Sequence, residues 1–471
     1  MASMACGVLA VAGLPAMPAA SSESPSSYEL YAAGEAQKAL TRAHADLKAV
    51  LEAGTSSQRW RHTMHVAWLE ESIGNHEAAF RLAESALRLA SQEGNPFMIG
   101  RSLCWLGWSA TSLGLYPLAL EFYDAAIEQA ADAGGRDQIP AVWGLATQEK
   151  GAVLAKMGEL EAGAALIEET TEFARRNNIR VGVAEGGAHL ARIALRRGDW
   201  VEATARAEEA LIAAEECNCS AYNTNRARLV RARIVLERSR IDPRYTSEAE
   251  AQIRAALAEA KKVSDRRHIA EAQLLLSRAI GDRDLDSRVA LVSAAAETLH
   301  SMGSELRGSA DGELGALMLE SDRLDEAGSY LESGLQINQD LFRKLDAAYI
   351  LGDLAEIDLA ANDHTAHLEK WMESADQAEA SGAWPLAAES QERIAEALFR
   401  LGFLNLSRHW SEKAAETIEK MLEKADDAER RRELQWRKLA LNERVVDIEI
   451  ELDHSPAPPL GNTGPTGIQN N

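Results

Sequence analysis

The stretch Leu190–Leu211, LARIALRRGDWVEATARAEEAL, decides the fold. An apolar-patterned helix runs into Gly198-Asp199, and a second helix follows with Ala203, Ala207 and Ala210 on one side. Glycine takes the left-handed conformation that ends a helix without strain. Three alanines at helical spacing let the second helix pack closely back on the first, so the stretch predicts an antiparallel helix pair.

The same break followed by small residues recurs at Gly74 (GNHEAAFRLAESAL), Gly114 (GLYPLALEFYDAAI), Gly158 (GELEAGAALIEET), Gly281 (GDRDLDSRVALVSAAAETL), Asp322 (DRLDEAGSYLESGL), Asn362 (NDHTAHLEKWMESA) and Gly402 (GFLNLSRHWSEKAAETI). RARIVLERS at Arg231–Ser239 shares five of nine letters with LARIALRRG at Leu190–Gly198. With a break placed at Ser239, nine units follow one another at intervals of 40 to 44 residues. Such a period is the mark of a solenoid, whose core is buried one repeat at a time.

LCWLGWSATSLGLYPLALEFYDAAI resembles the tetratricopeptide repeat family: Leu106, Gly107, Gly114, Tyr116, Ala119, Tyr123 and Ala126 fall on the positions of its pattern. The resemblance extends over roughly Arg61 to Ala415. Its repeat is longer than the family's roughly 34 residues, which implies about one extra turn per helix, as in the long-helix variants of bacterial signalling proteins. The expected fold is all-α, a right-handed superhelix of helix pairs with a long C-terminal helix.

The chain has 471 residues, a formal charge of −23 and 5% aromatic residues, with 46% hydrophobic residues dominated by alanine and leucine. So acidic a chain repels phosphates, which argues against nucleic-acid partners. Residues 1–27 are rich in Ala, Ser and Pro, but the first basic residue is Lys38, so the positive start of an export signal is missing. A cytoplasmic location is expected, with export as the alternative. No run approaches the ~20 apolar residues of a membrane span. Four cysteines in so long a chain do not make a disulfide framework.

Residues 28–415 form the expected repeat domain, opened by a capping helix over Tyr28–Glu52 with Leu30, Ala33, Leu40, Ala43, Leu47 and Leu51 on one side. The fifth repeat carries the insertion IDPRYTSE, where Pro243 forbids a helix interior. Residues 416–452 lack glycine and proline and place Leu434, Lys438, Leu441, Val445, Ile448 and Leu452 at alternating spacings of four and three. That pattern predicts a dimeric coiled coil through residues 434–452, or else a helix capping the last repeat. Residues 453–471 are too rich in Pro, Gly and Asn to fold.

No constellation points to catalysis. CNC at Cys217–Cys219 and HTMH at His62–His65 lack the further ligands of a metal centre, and NCS at Asn218–Ser220 matters only as a glycosylation acceptor in a secreted chain. Neither a phosphate-cradling glycine loop nor a nucleophile elbow is present. No enzyme, cofactor or metal is expected.

The family resemblance implies a concave groove lined by the first helix of each repeat. Counted from Ala67, Gly107, Gly151, Ala191 and Ala232, the lining includes Arg61, Trp68, Arg101, Cys104, Trp108, Gln148, Lys156, Arg192, Arg196, Arg226 and Arg233, with Glu71, Glu185 and Glu237 in the minority. In the ninth repeat Glu389, Glu392, Glu396, Phe399 and Arg400 turn it acidic. The expected groove is therefore basic, with arginine and lysine heads in solvent beside Trp68 and Trp108, and it suits an acidic protein or peptide segment with large apolar anchors. The opposing expectation is that the arginines pair with neighbouring glutamates and the tryptophans are core. The clamp by which such repeats hold a chaperone's terminal carboxylate is missing, since Met64, Trp68, Cys104 and Trp108 occupy its positions. SPAPPLGN at Ser455–Asn462 shares Pro456, Leu460 and Asn462 with the opening of a diguanylate cyclase domain. This gives the alternative of a sensory arm whose cyclase is absent.

Overall fold

A computed structural model describes residues 25–217, 221–425 and 428–454. It is 87% helical, with no strand among the described residues. α1 (Ser27–Ala32) and α2 (Ala36–Ala53) precede the pairs α3 (Ser56–Ser72) with α4 (His76–Glu93), α5 (Pro96–Ser112) with α6 (Tyr116–Asp132), α7 (Pro140–Lys156) with α8 (Leu160–Arg176), and α9 (Arg180–Arg197) with α10 (Trp200–Glu216). The array continues with α11 (Ala221–Ile241) and α12 (Thr246–Lys262), α13 (Arg266–Ile280) and α14 (Leu285–Ser301), and α15 (Arg307–Glu320) and α16 (Leu324–Asp340). It ends with α17 (Lys344–Ala360) and α18 (His364–Ser381), α19 (Trp384–Arg400) and α20 (Leu404–Lys424), and the long α21 (Ala428–His454). Neighbours in sequence are neighbours in space throughout, and the whole is a right-handed tetratricopeptide-like solenoid.

Small residues set the spacing within each pair. Ala119, Ala126, Ala203 and Ala210 are fully buried where paired helices meet. Gly107 leaves room for the Tyr123 ring: a Cβ there would stand 2.6 Å from it, and Gly352 faces Trp371 in the same way. The helices start on local signals. Thr55 accepts from the Gln58 amide while the Gln58 side chain returns to the Thr55 amide, and Asn95 precedes a helix that begins with Pro96.

Three details differ from the sequence reading. α11 runs on past Ser239 to Ile241, and the turn falls instead at Asp242, whose carboxylate accepts from the Arg244 amide beside a short 3-10 turn at Pro243–Tyr245. The capping helix is broken into α1 and α2, because Gly34 takes φ +82° and lies against the Lys262 carbonyl. The third difference corrects the coiled coil. Leu434, Leu441 and Ile448 are buried against the array, the first two in a cluster with Ala414, Ile418 and Met421 of α20. The apolar stripe within residues 434–452 is thus the capping contact and not a free dimer seam.

The path of the superhelix follows from what its turns touch. Gly34, Gly74, Gly114 and Gly158 lie on Lys262, Met302, Leu341 and Ser381, residues 223 to 228 positions further on. At about 41 residues per unit this is roughly five and a half repeats per turn. Successive turns press together, and the first helices of the pairs enclose a narrow lumen.

Candidate functional site

The lumen is lined by charge. Glu305, fully buried at the start of the second turn, receives Lys156 Nζ at 3.0 Å and Arg267 Nη2 at 2.5 Å. Its backbone N–H donates to the Ser112 carbonyl at 2.9 Å. Glu271 lies 3.3 Å from Arg192 and 3.6 Å from Arg233. Asp346 accepts Arg343 at 2.9 Å and Arg196 at 3.5 Å, and Arg343 also donates to the Tyr116 hydroxyl at 3.1 Å. The lysine and arginines of α7 and α9 therefore reach carboxylates 79 to 150 residues away, across the lumen.

These pairs shape the protonation of their members. Burial alone would push the Glu271 carboxyl up, but Arg192 and Arg233 outweigh it and hold it down at about 2. Burial lowers Lys156 to about 8 despite Glu305, and Arg192 to about 10 despite Glu271. Burial also dominates at His189, lowered to about 4 and therefore neutral, with Arg226 Nη1 3.2 Å from its Nε2. Two carboxyls move the other way. Burial raises Glu185 to about 7, with Glu149 adding to the shift and Arg226 opposing it, and burial raises Asp353 to about 7 with help from Glu313.

The residues expected to line a basic groove do face inward together, but not as free cations. Arg101 and Arg226 are only 2% and 5% exposed, contrary to the expectation of solvated heads. Arg226 lies over the Tyr222 ring and donates to its hydroxyl at 2.8 Å, and Arg101 feels the charge of Glu185. Lys156, Arg192, Arg196 and Arg233 are partly buried and ion-paired as above. For Lys156, Arg192, Arg196 and Arg233 the cause is that a turn of five and a half repeats brings carboxylates of the sixth to eighth repeats to the same lumen, where the sequence spacing had only the first five repeats in view. The partners of Arg101 and Arg226 lie within those first five repeats.

The two tryptophans split between the two expectations. Trp68 is half-buried and covered by α1, whose Tyr31 and Tyr28 rings lie 4.8 and 5.9 Å from it. Ser27 Oγ is 2.8 Å from His65 Nε2, and Arg61 stands close enough to Tyr28 for its charge to act on the phenol. Trp108 stacks on Trp105 at 5.2 Å and borders a cavity of ≈ 20 Å³ together with Lys156, His189, Arg192, Tyr222 and Arg267. That is room for about one water and far too little for a peptide. At the acidic far end, Arg437 of α21 covers Glu392 at 3.0 Å, and Arg430 lies over the Trp200 ring.

Sequence reasoning missed Arg267, Glu271, Glu305, Arg343 and Asp346. The same count of groove positions, started seven residues before each break and carried into the sixth to eighth repeats, would have reached only Glu271 among them.

Of the residues considered for metals, His65 is buried against Ser27, and Cys217 is disulfide-bonded and so not a free thiolate. Asn218–Ser220 and Ser455–Asn462 lie outside the described residues, as do residues 1–24. Among the described residues, no group of three or more His, Cys, Asp or Glu is placed to hold a metal ion. No described helix is long and apolar enough to cross a membrane.

No family model matches the sequence, and no curated protein matches it. Solved structures with a similar course include a Rap protein complexed with competence and sporulation factor, at 13% identity, 85% of this chain, 97% of that one and a TM-score of 0.43. The human IFIT1 dimer with PPP-AAAA is similar at 14% identity, 88% and 89% coverage and a TM-score of 0.44. The signal-transduction ATPase PH0952 from Pyrococcus horikoshii, which has a tetratricopeptide repeat sensor, follows at 12% identity, 72% and 54% coverage and a TM-score of 0.43.

Proposed function

We propose that the chain is a non-enzymatic binding scaffold that takes an acidic protein or peptide segment into its lumen. The ligand's carboxylates would take over Lys156, Arg192, Arg196 and Arg233 from Glu305, Glu271 and Asp346. The observation that carries this reading is the pairing itself. The cations are gathered in one lumen and held by three carboxylates of the sixth to eighth repeats, which a multivalent acidic segment can replace. Trp108 and Tyr222, tilted against each other at 5.9 Å, offer the aromatic area that an anchor residue needs.

Entry requires these ion pairs and the helices that carry them to part, because the cavity beside Trp108 is too small for a peptide. Binding is therefore coupled to unwinding of the superhelix, and added salt should weaken it since part of each contact is screened.

The test compares the wild type with Arg192→Glu/Arg196→Glu, with helicity checked for each. Partners are recovered from native lysate, identified, and returned as purified segments for titration and small-angle scattering. Partners should carry acidic segments, bind the variant at least tenfold more weakly and expand the wild type. If the charge-reversed chain retained every partner, the lumen would have no such role.

A further inference from the structure

α21 has two apolar faces, and among the described residues only one is used. Leu434, Leu441 and Ile448, seven residues apart, face the array and are no more than 4% exposed. On the opposite side Trp436, Leu439 and Val446 are 66%, 46% and 51% exposed, and Ile450 continues the line one turn further on. Their spacings of three, seven and four match a heptad seam in which Glu443 fills the one missing position. Glu443 is itself exposed. An indole two-thirds in solvent at the head of such a seam marks a surface that another helix covers.

The charges beside the seam say which helix. Its N-terminal end carries Arg431 and Arg432, its C-terminal end Asp447 and Glu449, and all four are exposed. A copy of α21 laid antiparallel brings the basic end of each helix to the acidic end of the other. A parallel copy sets arginine on arginine and aspartate on aspartate. Two-fold self-association demands a surface complementary to itself under reversal, and this one is.

We infer that two copies of this chain pair through the outward face of α21, antiparallel, with Trp436, Leu439 and Val446 in the seam and Arg432 facing Asp447 of the other copy. The seam is short and Glu443 weakens its middle, so the area falls well below that of an obligate dimer and the affinity should be on the order of micromolar. This pairing uses the face opposite the buried stripe and does not depend on what the lumen binds.

Sedimentation velocity on the full chain, over about 1 to 100 µM, tests it in this affinity range. The wild type should shift from monomer to dimer with concentration. Trp436→Glu should weaken the dimer at least tenfold, and Glu443→Leu should tighten it at least tenfold. Both side chains are exposed, so the melting temperature serves as a control for folding. Arg432→Glu should weaken the dimer, and Arg432→Glu/Asp447→Arg should restore it. If the wild type and Glu443→Leu both stay monomeric at the highest concentration, the face is covered by something other than a second copy and the proposal is overturned. Dimerisation indifferent to Trp436→Glu overturns it equally. If Arg432→Glu has no effect, or the double exchange brings no recovery, the antiparallel arrangement is wrong.

Discussion

The turns inside the first four repeats and those inside the last four do the same local job under different constraints. Gly74, Gly114, Gly158 and Gly198 all take positive φ, and each also lies against the next turn of the superhelix. Further on, Asp322 and Asn362 take φ +57° and +59° with side chains in place, and Gly402 has nothing within 4 Å of where a Cβ would stand. Helix capping alone accepts Gly, Asn or Asp. The first four turns need glycine twice over, for conformation and for space. Asp322 and Asn362 show that the left-handed conformation alone does not demand glycine.

The largest expected effect comes from Gly114→Ala. The new Cβ would stand 2.5 Å from Leu341, which is itself buried, at a residue with φ +81°. Backbone strain and overpacking together should cost about 2–5 kcal/mol, read from denaturant unfolding. Ala203→Leu and Ala327→Leu should each cost roughly 1–3 kcal/mol, because both are fully buried in seams internal to one helix pair. Equal costs in the two halves would show that the halves differ only where turns meet, whereas an unchanged melting point for either variant would place the seam elsewhere.

A third comparison uses pH. Glu185 in the first turn and Asp353 in the second are each raised to about 7, chiefly by burial. A carboxyl raised above its unfolded value binds a proton more readily when folded, so the stability it contributes is full below pH ~4 and is lost as the pH rises through about 7. Glu185→Gln should therefore flatten the stability profile between these values, with a gain at pH 8 on the order of 2 kcal/mol. An unaltered profile would mean that Glu185 is solvated. The smallest effect belongs to Gly402→Ala, at φ +78° with open space around it: about 1 kcal/mol of backbone strain and no clash. If it matched Gly114→Ala, the contrast between the two sets of turns would vanish.

The helix pairs were legible because their causes are local. A break and three alanines fix a pair wherever they occur, and Leu190–Leu211 contains the whole rule. The pitch was not legible, since it sums small rotations over five repeats and none of them is written at a single position. For that reason Arg192 and Arg196 read as free groove cations: their partners Glu271 and Asp346 lie 79 and 150 residues away. Residues 434–452 failed differently. A stripe at spacings of four and three states that a helix packs along a narrow line, and α20 satisfies that line as well as a second copy would. The outward Trp436 and Leu439 went unread because the inner stripe was the more regular.

That buried charges clasp the superhelix across its lumen is tested most directly by a double-mutant cycle on Lys156 and Glu305, residues 149 positions apart and joined at 3.0 Å. Lys156→Met, Glu305→Gln and the double variant are unfolded in denaturant at low salt. The clasped superhelix predicts a coupling of about 1–3 kcal/mol between them, whereas effects that add to within ~0.5 kcal/mol would mean that Lys156 and Glu305 do not meet across the lumen.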